Sequence, residues 1–262
     1  MRFALHAEWT KLRTVSGTVW LFVAAIVITV VVGAASTGSI NADLCPSPSE
    51  CVYDTTKLTF AGVWLGQVAV VVLATLAMTN EYGTRMMQIT LAANPRRTQV
   101  LTAKATVITA IVLVAGTVAV LGSLIVGRAN LHGNGLSPAN GFSALSLTEE
   151  PTLRAAAGTV LYLGLIGLLS LGAGTIIRDT AGTITAVLGV LFAVPIVTQF
   201  VSDPQWSERL RKLAPMTAGL AIQSTRGLGD LPIGPWGGLG VLAVYAGAVL
   251  LLGAIVFKLR DA

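Results

Sequence analysis

Six stretches of this chain run long enough without an ionisable side chain to cross a bilayer, and they dictate most of what it can fold into. A hydrocarbon core takes about 20 apolar residues of helix to cross, and a central Arg, Lys or Asp costs roughly 2.5–3.5 kcal/mol on insertion scales. The qualifying spans are approximately 15–36, 58–80, 105–127, 155–177, 180–202 and 235–257. None of them alternates apolar and polar residues in short strands, so a barrel is not expected. Only 11% of residues are charged while 54% are hydrophobic, against about 25% charged in a soluble domain. The expected fold is all-α: a polytopic membrane protein of six transmembrane helices forming a single transmembrane domain over residues 1–262. The apolar run 19–35 ends in small residues, as a signal peptide would. It exceeds the usual h-region of about 7–15 residues, however, and further spans follow, so an uncleaved first helix is expected.

Lys and Arg placement orients the chain. With both termini inside, the cytoplasmic segments hold Arg2, Lys11, Arg13, Arg85, Arg96, Arg97, Lys104, Arg178, Lys258 and Arg260, and the other side Lys57, Arg128, Arg154, Arg209, Arg211, Lys212 and Arg226. The bias is modest but points to cytoplasmic termini in the plasma membrane, the basic flanks lying against the lipid bilayer. A net charge of +5 arises from these flanks. There is no basic patch interleaved with aromatics, so nucleic acid is not an expected partner.

The segment 81–104, EYGTRMMQITLAANPRRTQVLTAK, is the longest basic connection on the inner side. Residues 82–91 read as a short helix, closed by Asn94-Pro95 and a basic turn. Such a segment suits a membrane protein driven by a cytoplasmic partner. Before the first span, Leu5, Trp9 and Leu12 recur at i, i+4, i+7. They suit a short N-terminal interfacial helix, although Glu8 beside the stripe weakens it, and a plain extension of the first span is the alternative.

Other segments carry less chemistry. Cys45 and Cys51, in the first outer loop, suit a local disulfide on an oxidising face; a metal pair is the alternative, but no His or further Cys lies near to complete a site. Glu149 and Glu150 before Pro151 suit the start of the fourth span as caps, and His132, in the second outer loop 128–154, reads as a surface loop histidine, with a ligand or base as the alternative. Gly158, Gly164, Gly167, Gly172 and Gly174 suit close helix packing, with a hinge as the alternative. Pro195 should bend the fifth span, either lining a pathway or solving a packing problem. Trp206, Leu210 and Leu213 repeat at helical spacing, and the apolar piece 215–222 is too short to span, as in an interfacial or re-entrant segment.

Motifs for independent catalysis are absent. There is no phosphate-cradling GxxxxGK[ST], no GxSxG elbow, and no histidine near a carboxylate cluster. No catalytic or metal-binding residue is assigned, and the chain is not expected to be an enzyme by itself. No acidic or basic residue lies deep within a span, which argues against an ion-coupled secondary carrier. An intramembrane serine protease would need a histidine inside a span and has none.

Three segments together carry a family resemblance: EWTKLRT (residues 8–14), EYGTRMMQITLAANPRRTQVLTAK (81–104) and PWGGLGVLAVYAGAVLLLGAIVFKLRDA (235–262). They resemble the permease subunits of ABC-type-2 exporters, particularly the actinobacterial branch. The resemblance implies a permease that pairs with a second copy, identical or related, and with two cytoplasmic ABC ATPase subunits. ATP and Mg would sit on the ATPase, with no cofactor in this chain. It also implies that 82–91 is a coupling helix and that the connection before the last span forms an outer re-entrant cap. Glu81, Tyr82 and Arg85 would then contact the ATPase together with Met86, Met87 and Ile89, unless these methionines face lipid. In similar exporters the second and fifth spans line the path, here with Trp64, Gln67, Phe192 and Gln199. Their mostly apolar character suits a lipophilic or amphipathic cargo.

Overall fold

The computed structural model describes residues 2–14, 16–40, 53–84, 86–93, 96–136 and 145–259. Cys45, Cys51, Arg85 and Asn94-Pro95 lie outside them. Every regular element among the described residues is helical: α1 (Arg2–Thr14), α2 (Ser16–Gly38), α3 (Thr55–Thr59), α4 (Val63–Gly83), α5 (Met86–Ala93), α6 (Arg97–Gly133), α7 (Glu150–Ile177), α8 (Thr180–Val197), α9 (Pro204–Leu213), α10 (Pro215–Leu220) and α11 (Pro235–Leu259). Of these, α2, α4, α6, α7, α8 and α11 are long and apolar enough to cross a membrane.

Helices α4 and α7 form the centre. About two thirds of the apolar window of α7 is buried inside the bundle, against 17% for α2 and α8. α7 packs on α4, α6, α8 and α11, while α2 packs on α4 and α6. Glycines set the closest approaches. A Cβ on Gly172 would stand 2.8–2.9 Å from the backbone of Leu250, and one on Gly253 would stand 2.9 Å from the carbonyl oxygen of Gly172. The backbones of α7 and α11 therefore touch where only glycine fits, which is how helices gain contact without a hydrophobic driving force between them. The glycines of α7 serve packing here.

Several boundaries differ from the charge-free intervals, each for a local reason. α6 starts eight residues before position 105 because its first turns need not be apolar outside the hydrocarbon. At 37 residues and 1.5 Å per residue it is about 55 Å long, well beyond a core of roughly 30 Å. At its other end α6 carries His132 in its last turn, where the sequence reads as loop. α8 ends at Val197, two residues after Pro195, and the chain continues in hydrogen-bonded turns through Phe200. The proline thus falls in the last turn and closes the helix instead of bending it mid-span. The α7–α8 hairpin turns on Arg178, in the left-handed region at φ 61°, and on Asp179, whose carboxylate accepts from Gly182 N at 2.6 Å.

Both ends of the bundle are fastened across the sequence. At the end bearing both termini, the terminal face, Arg97 donates to the carbonyls of Phe257 and Lys258 at 3.1 and 3.3 Å, and Arg178 lies 4.9 Å over the Tyr82 ring. At the opposite, distal face, Asn130 donates to Ala34 O at 2.9 Å and Asn134 to Ile40 O, just past the end of α2, at 2.8 Å, fastening α6 to the end of α2. α9 is exposed, with Trp206 and Leu213 outward. α10 and the turn after it are buried against α7 and α11.

Candidate coupling site at the terminal face

The site is built where four helices meet. Glu8 comes from the middle of α1, Lys11 from its last turn, Glu81 from the end of α4, and Lys104 from the second turn of α6. Lys104 Nζ contacts Glu8 Oε2 at 2.6 Å, Glu81 Oε1 at 2.9 Å and Ala77 O at 3.0 Å. Lys11 Nζ contacts Glu81 Oε1 at 2.9 Å, Glu8 Oε1 at 3.1 Å and, on α5, Thr90 Oγ1 at 3.2 Å. Two carboxylates therefore face two ammonium groups, and the cluster is neutral.

Burial gives the arrangement its weight. Lys104 is 2% exposed and Glu8 3%, so neither charge is sustained by water. Stripping one partner from such a pair costs about 3–5 kcal/mol, because the other charge is left buried and uncompensated. The cluster therefore fixes α1 to the root of α4 and the start of α6. Lys11 sits at the edge with its side chain 31% exposed. Burial alone would lower its pKa, but the hydrogen bond to Glu81 and the charges of Glu81 and Glu8 outweigh that and hold it above the ordinary lysine value.

The cluster carries α5 on its rim. Tyr82 belongs to the last turn of α4 and is half-buried beneath Arg178, so the separate short helix begins only at Met86. Met87 is buried with Met78, Leu101, Leu171 and Phe257. Met86 and Ile89 point outward, 41% and 66% exposed. The expected ATPase-contact residues thus divide. Met86 and Ile89 form an exposed apolar face, Met87 seats the helix, and Glu81 is turned inward, 8% exposed, onto the two lysines. Arg85 lies outside the described residues.

The residues expected along a pathway divide too. Gln67 is fully buried and accepts from Tyr162 Oη at 2.5 Å, while its amide donates to Trp64 O at 3.1 Å and approaches Met216 Sδ at 3.5 Å. Trp64 is 43% exposed, Phe192 packs on the edge of the core, and Gln199 is exposed in the turn after α8. Nearer the distal face, Gln223 donates to Thr159 at 3.2 Å. Asp54 accepts from Thr225 N at 2.6 Å, Thr225 Oγ1 at 2.7 Å and Arg226 N at 3.1 Å. No group of His, Cys, Asp and Glu among the described residues is arranged to hold a metal ion.

Sequence reasoning missed the roles of Glu8, Lys11 and Lys104. In sequence Lys11 reads as a flank charge, Lys104 as the end of the basic connection 81–104, and Glu8 as a blemish on the α1 stripe. One signal was available: acids and lysines each lie within two turns of an apolar run, on segments that the topology returns to one face.

Six membrane-length helices, with the short α5 between α4 and α6 at the terminal face, define a multi-pass membrane component. Residues 4–146 match the family described as ABC-2 family transporter protein, and the chain belongs to that family. The match runs from α1 past the end of α6 and so contains the whole ionic cluster. Membrane components of this family lack the ATPase domain, and the ATP and Mg site lies on the partner ATPase. No curated protein matches the chain.

Proposed function

We propose that this chain is the permease subunit of an ATP-driven exporter of the branch its motifs resemble, moving a lipophilic or amphipathic small molecule, peptide or lipid out of the cell. It works with two copies of a cytoplasmic ABC ATPase and a second permease copy, with both termini cytoplasmic. The observation that carries this reading is α5: a helix seated by Met87 and Thr90 that presents Met86 and Ile89 outward, on a root tied by buried charges to two other helices. An apolar face of this kind fits a groove on a partner, and methionine adapts to a surface that moves.

In this mechanism the ATPase pushes on α5. Glu81 does not meet the ATPase; it transmits the push, because Lys11 and Lys104 bind it to α1 and α6. The terminal ends of α1, α4 and α6 then shift together, and α4 carries the displacement toward Gln67 and Trp64. Vesicles holding the permease and its genomically adjacent ATPase should show ATP-dependent, vanadate-sensitive transport. Ile89→Asp should abolish transport while leaving the permease folded. Transport that persists without any ATPase would overturn the reading in favour of a secondary carrier.

A further inference from the structure

At the distal face a cavity of about 240 Å³ opens between α3, the first turn of α4, α9, α10 and the chain that leads into α11. Leu58, Trp64, Leu220 and Ile233 give it apolar walls, and two cations from separate elements stand in its lining, Lys57 from α3 and Arg211 from α9. Among the described residues no acid lines it. Trp64 is 43% exposed in the first turn of a membrane-length helix, the depth at which headgroups meet hydrocarbon and tryptophan is enriched.

The acids nearest in the chain leave those two charges uncompensated. Asp54, which caps α3, accepts from the backbone N–H of Lys57, Thr225 and Arg226 and from Thr225 Oγ1. Glu208 pairs with Lys212 at 2.7 Å, and Asp230 is exposed outside the lining. Among the described residues, neither the Lys57 ammonium nor the Arg211 guanidinium has an ion pair or a hydrogen bond. All their N–H donors are therefore open to a ligand, and both side chains are exposed to one. Two uncompensated cations beside an apolar wall select an oxyanion head on an aliphatic chain, and guanidinium and ammonium are both suited to phosphate. A head that carries its own cation fits less well, because that cation would be set against Lys57 and Arg211.

We propose that this cavity seats an anionic phospholipid from the membrane leaflet at the distal face, its phosphate between Lys57 and Arg211 and the first carbons of one chain along Trp64, Leu220 and Ile233. The volume falls below the usual range for a site that encloses a whole small molecule. It takes the head and the start of a chain, while the rest of the lipid stays in the bilayer. As a lipid site this stands without the exporter reading. As a station for cargo leaving past Trp64 it rests on that reading.

The test uses the full chain in phosphatidylcholine nanodiscs, with neither ATPase nor nucleotide present. The discs are doped with a phosphatidylglycerol that carries a diazirine near the head of one acyl chain. After photolysis the labelled peptides are mapped by mass spectrometry. Labelling should concentrate on residues 58–65 and 217–233 and fall about tenfold or more when unlabelled phosphatidylglycerol is added in excess. Lys57→Gln combined with Arg211→Gln should weaken it about tenfold, the loss expected for one or two charge-assisted hydrogen bonds. Both positions are exposed, so the double variant should fold, and an unchanged thermal midpoint checks that it does. Arg209→Gln removes a cation from the same helix but outside the cavity and should leave labelling unchanged. A phosphatidylcholine probe of the same build should label these segments about tenfold less, and soluble glycerophosphate should not compete. The proposal is overturned by equal labelling with the phosphatidylcholine probe or by labelling spread evenly over all spans. Competition by glycerophosphate equal to that of the lipid, unchanged labelling in the folded double variant, or an equal loss in Arg209→Gln would overturn it too. The exporter reading is decided separately, by its own transport assay.

Discussion

Two of the polar contacts in this bundle solve the same problem with opposite chemistry. At the terminal face, Glu8, Lys11, Glu81 and Lys104 join three helices through full charges. Further along, the α4–α7 contact is joined by neutral groups, Gln67 and Tyr162, and α7 is joined to the turn after α10 by Thr159 and Gln223. Depth accounts for the difference. Ions are tolerable within a turn or two of water, where a helix that moves lets them be hydrated, whereas an ion at mid-span costs far more than an amide. The charged cluster is thus a joint that can open beside water, while the neutral one holds a fixed seam in the apolar interior.

Removing one member of each cluster should expose that contrast. Lys104→Met should cost the most, about 3–5 kcal/mol, because it leaves two buried carboxylates facing the half-exposed Lys11 alone; thermal unfolding of the purified chain measures it, and a loss below about 1 kcal/mol would mean that the carboxylates reach water. Tyr162→Phe should cost about 1–3 kcal/mol by leaving Gln67 Oε1 without its donor, and its cost should be the same at low and high salt. Lys11→Ala should cost about 1 kcal/mol or less, since its ammonium is partly solvated. Lys11 also sets a pH signature. Its pKa is raised above the ordinary 10.5, so its contribution is complete below that value and is lost as the pH climbs past its folded value. α1, followed by Trp9 fluorescence, should remain docked through neutral pH and loosen only in strong alkali. Ile89→Asp should change stability least, within about 0.5 kcal/mol as for other exposed positions, although on the proposed function it should stop transport.

The spans were legible because a charge inside hydrocarbon is so costly that its absence over 20 or so residues is a reliable marker. Outside the bilayer that marker vanishes. The start of α6, from Arg97 to Lys104, therefore read as a basic connection although it is helix. In sequence Tyr82 reads as the start of the short helix, but α4 runs on to Gly83, because nothing in EYG breaks a helix before the glycine. The candidate site was half legible. Glu81 stood out by position, but its direction depends on partners 70 residues away in α1 and 23 away in α6. Glu8 is the clearest case: beside an apolar stripe it looks misplaced until Lys104 arrives from another helix. Pairing across the fold turns the apparent flaw into the anchor.

The length of α6 has a mechanical consequence. It is a single rod of about 55 Å, gripped near one end by Glu8 and Glu81 and near the other by the amide staples from Asn130 and Asn134 to α2. Pivoted at its middle, such a rod swings each tip by roughly 2 Å for a tilt of about 5°. A small nudge at the terminal face would then reappear at the distal face, reversed in direction, with no side chain in between having to change its rotamer.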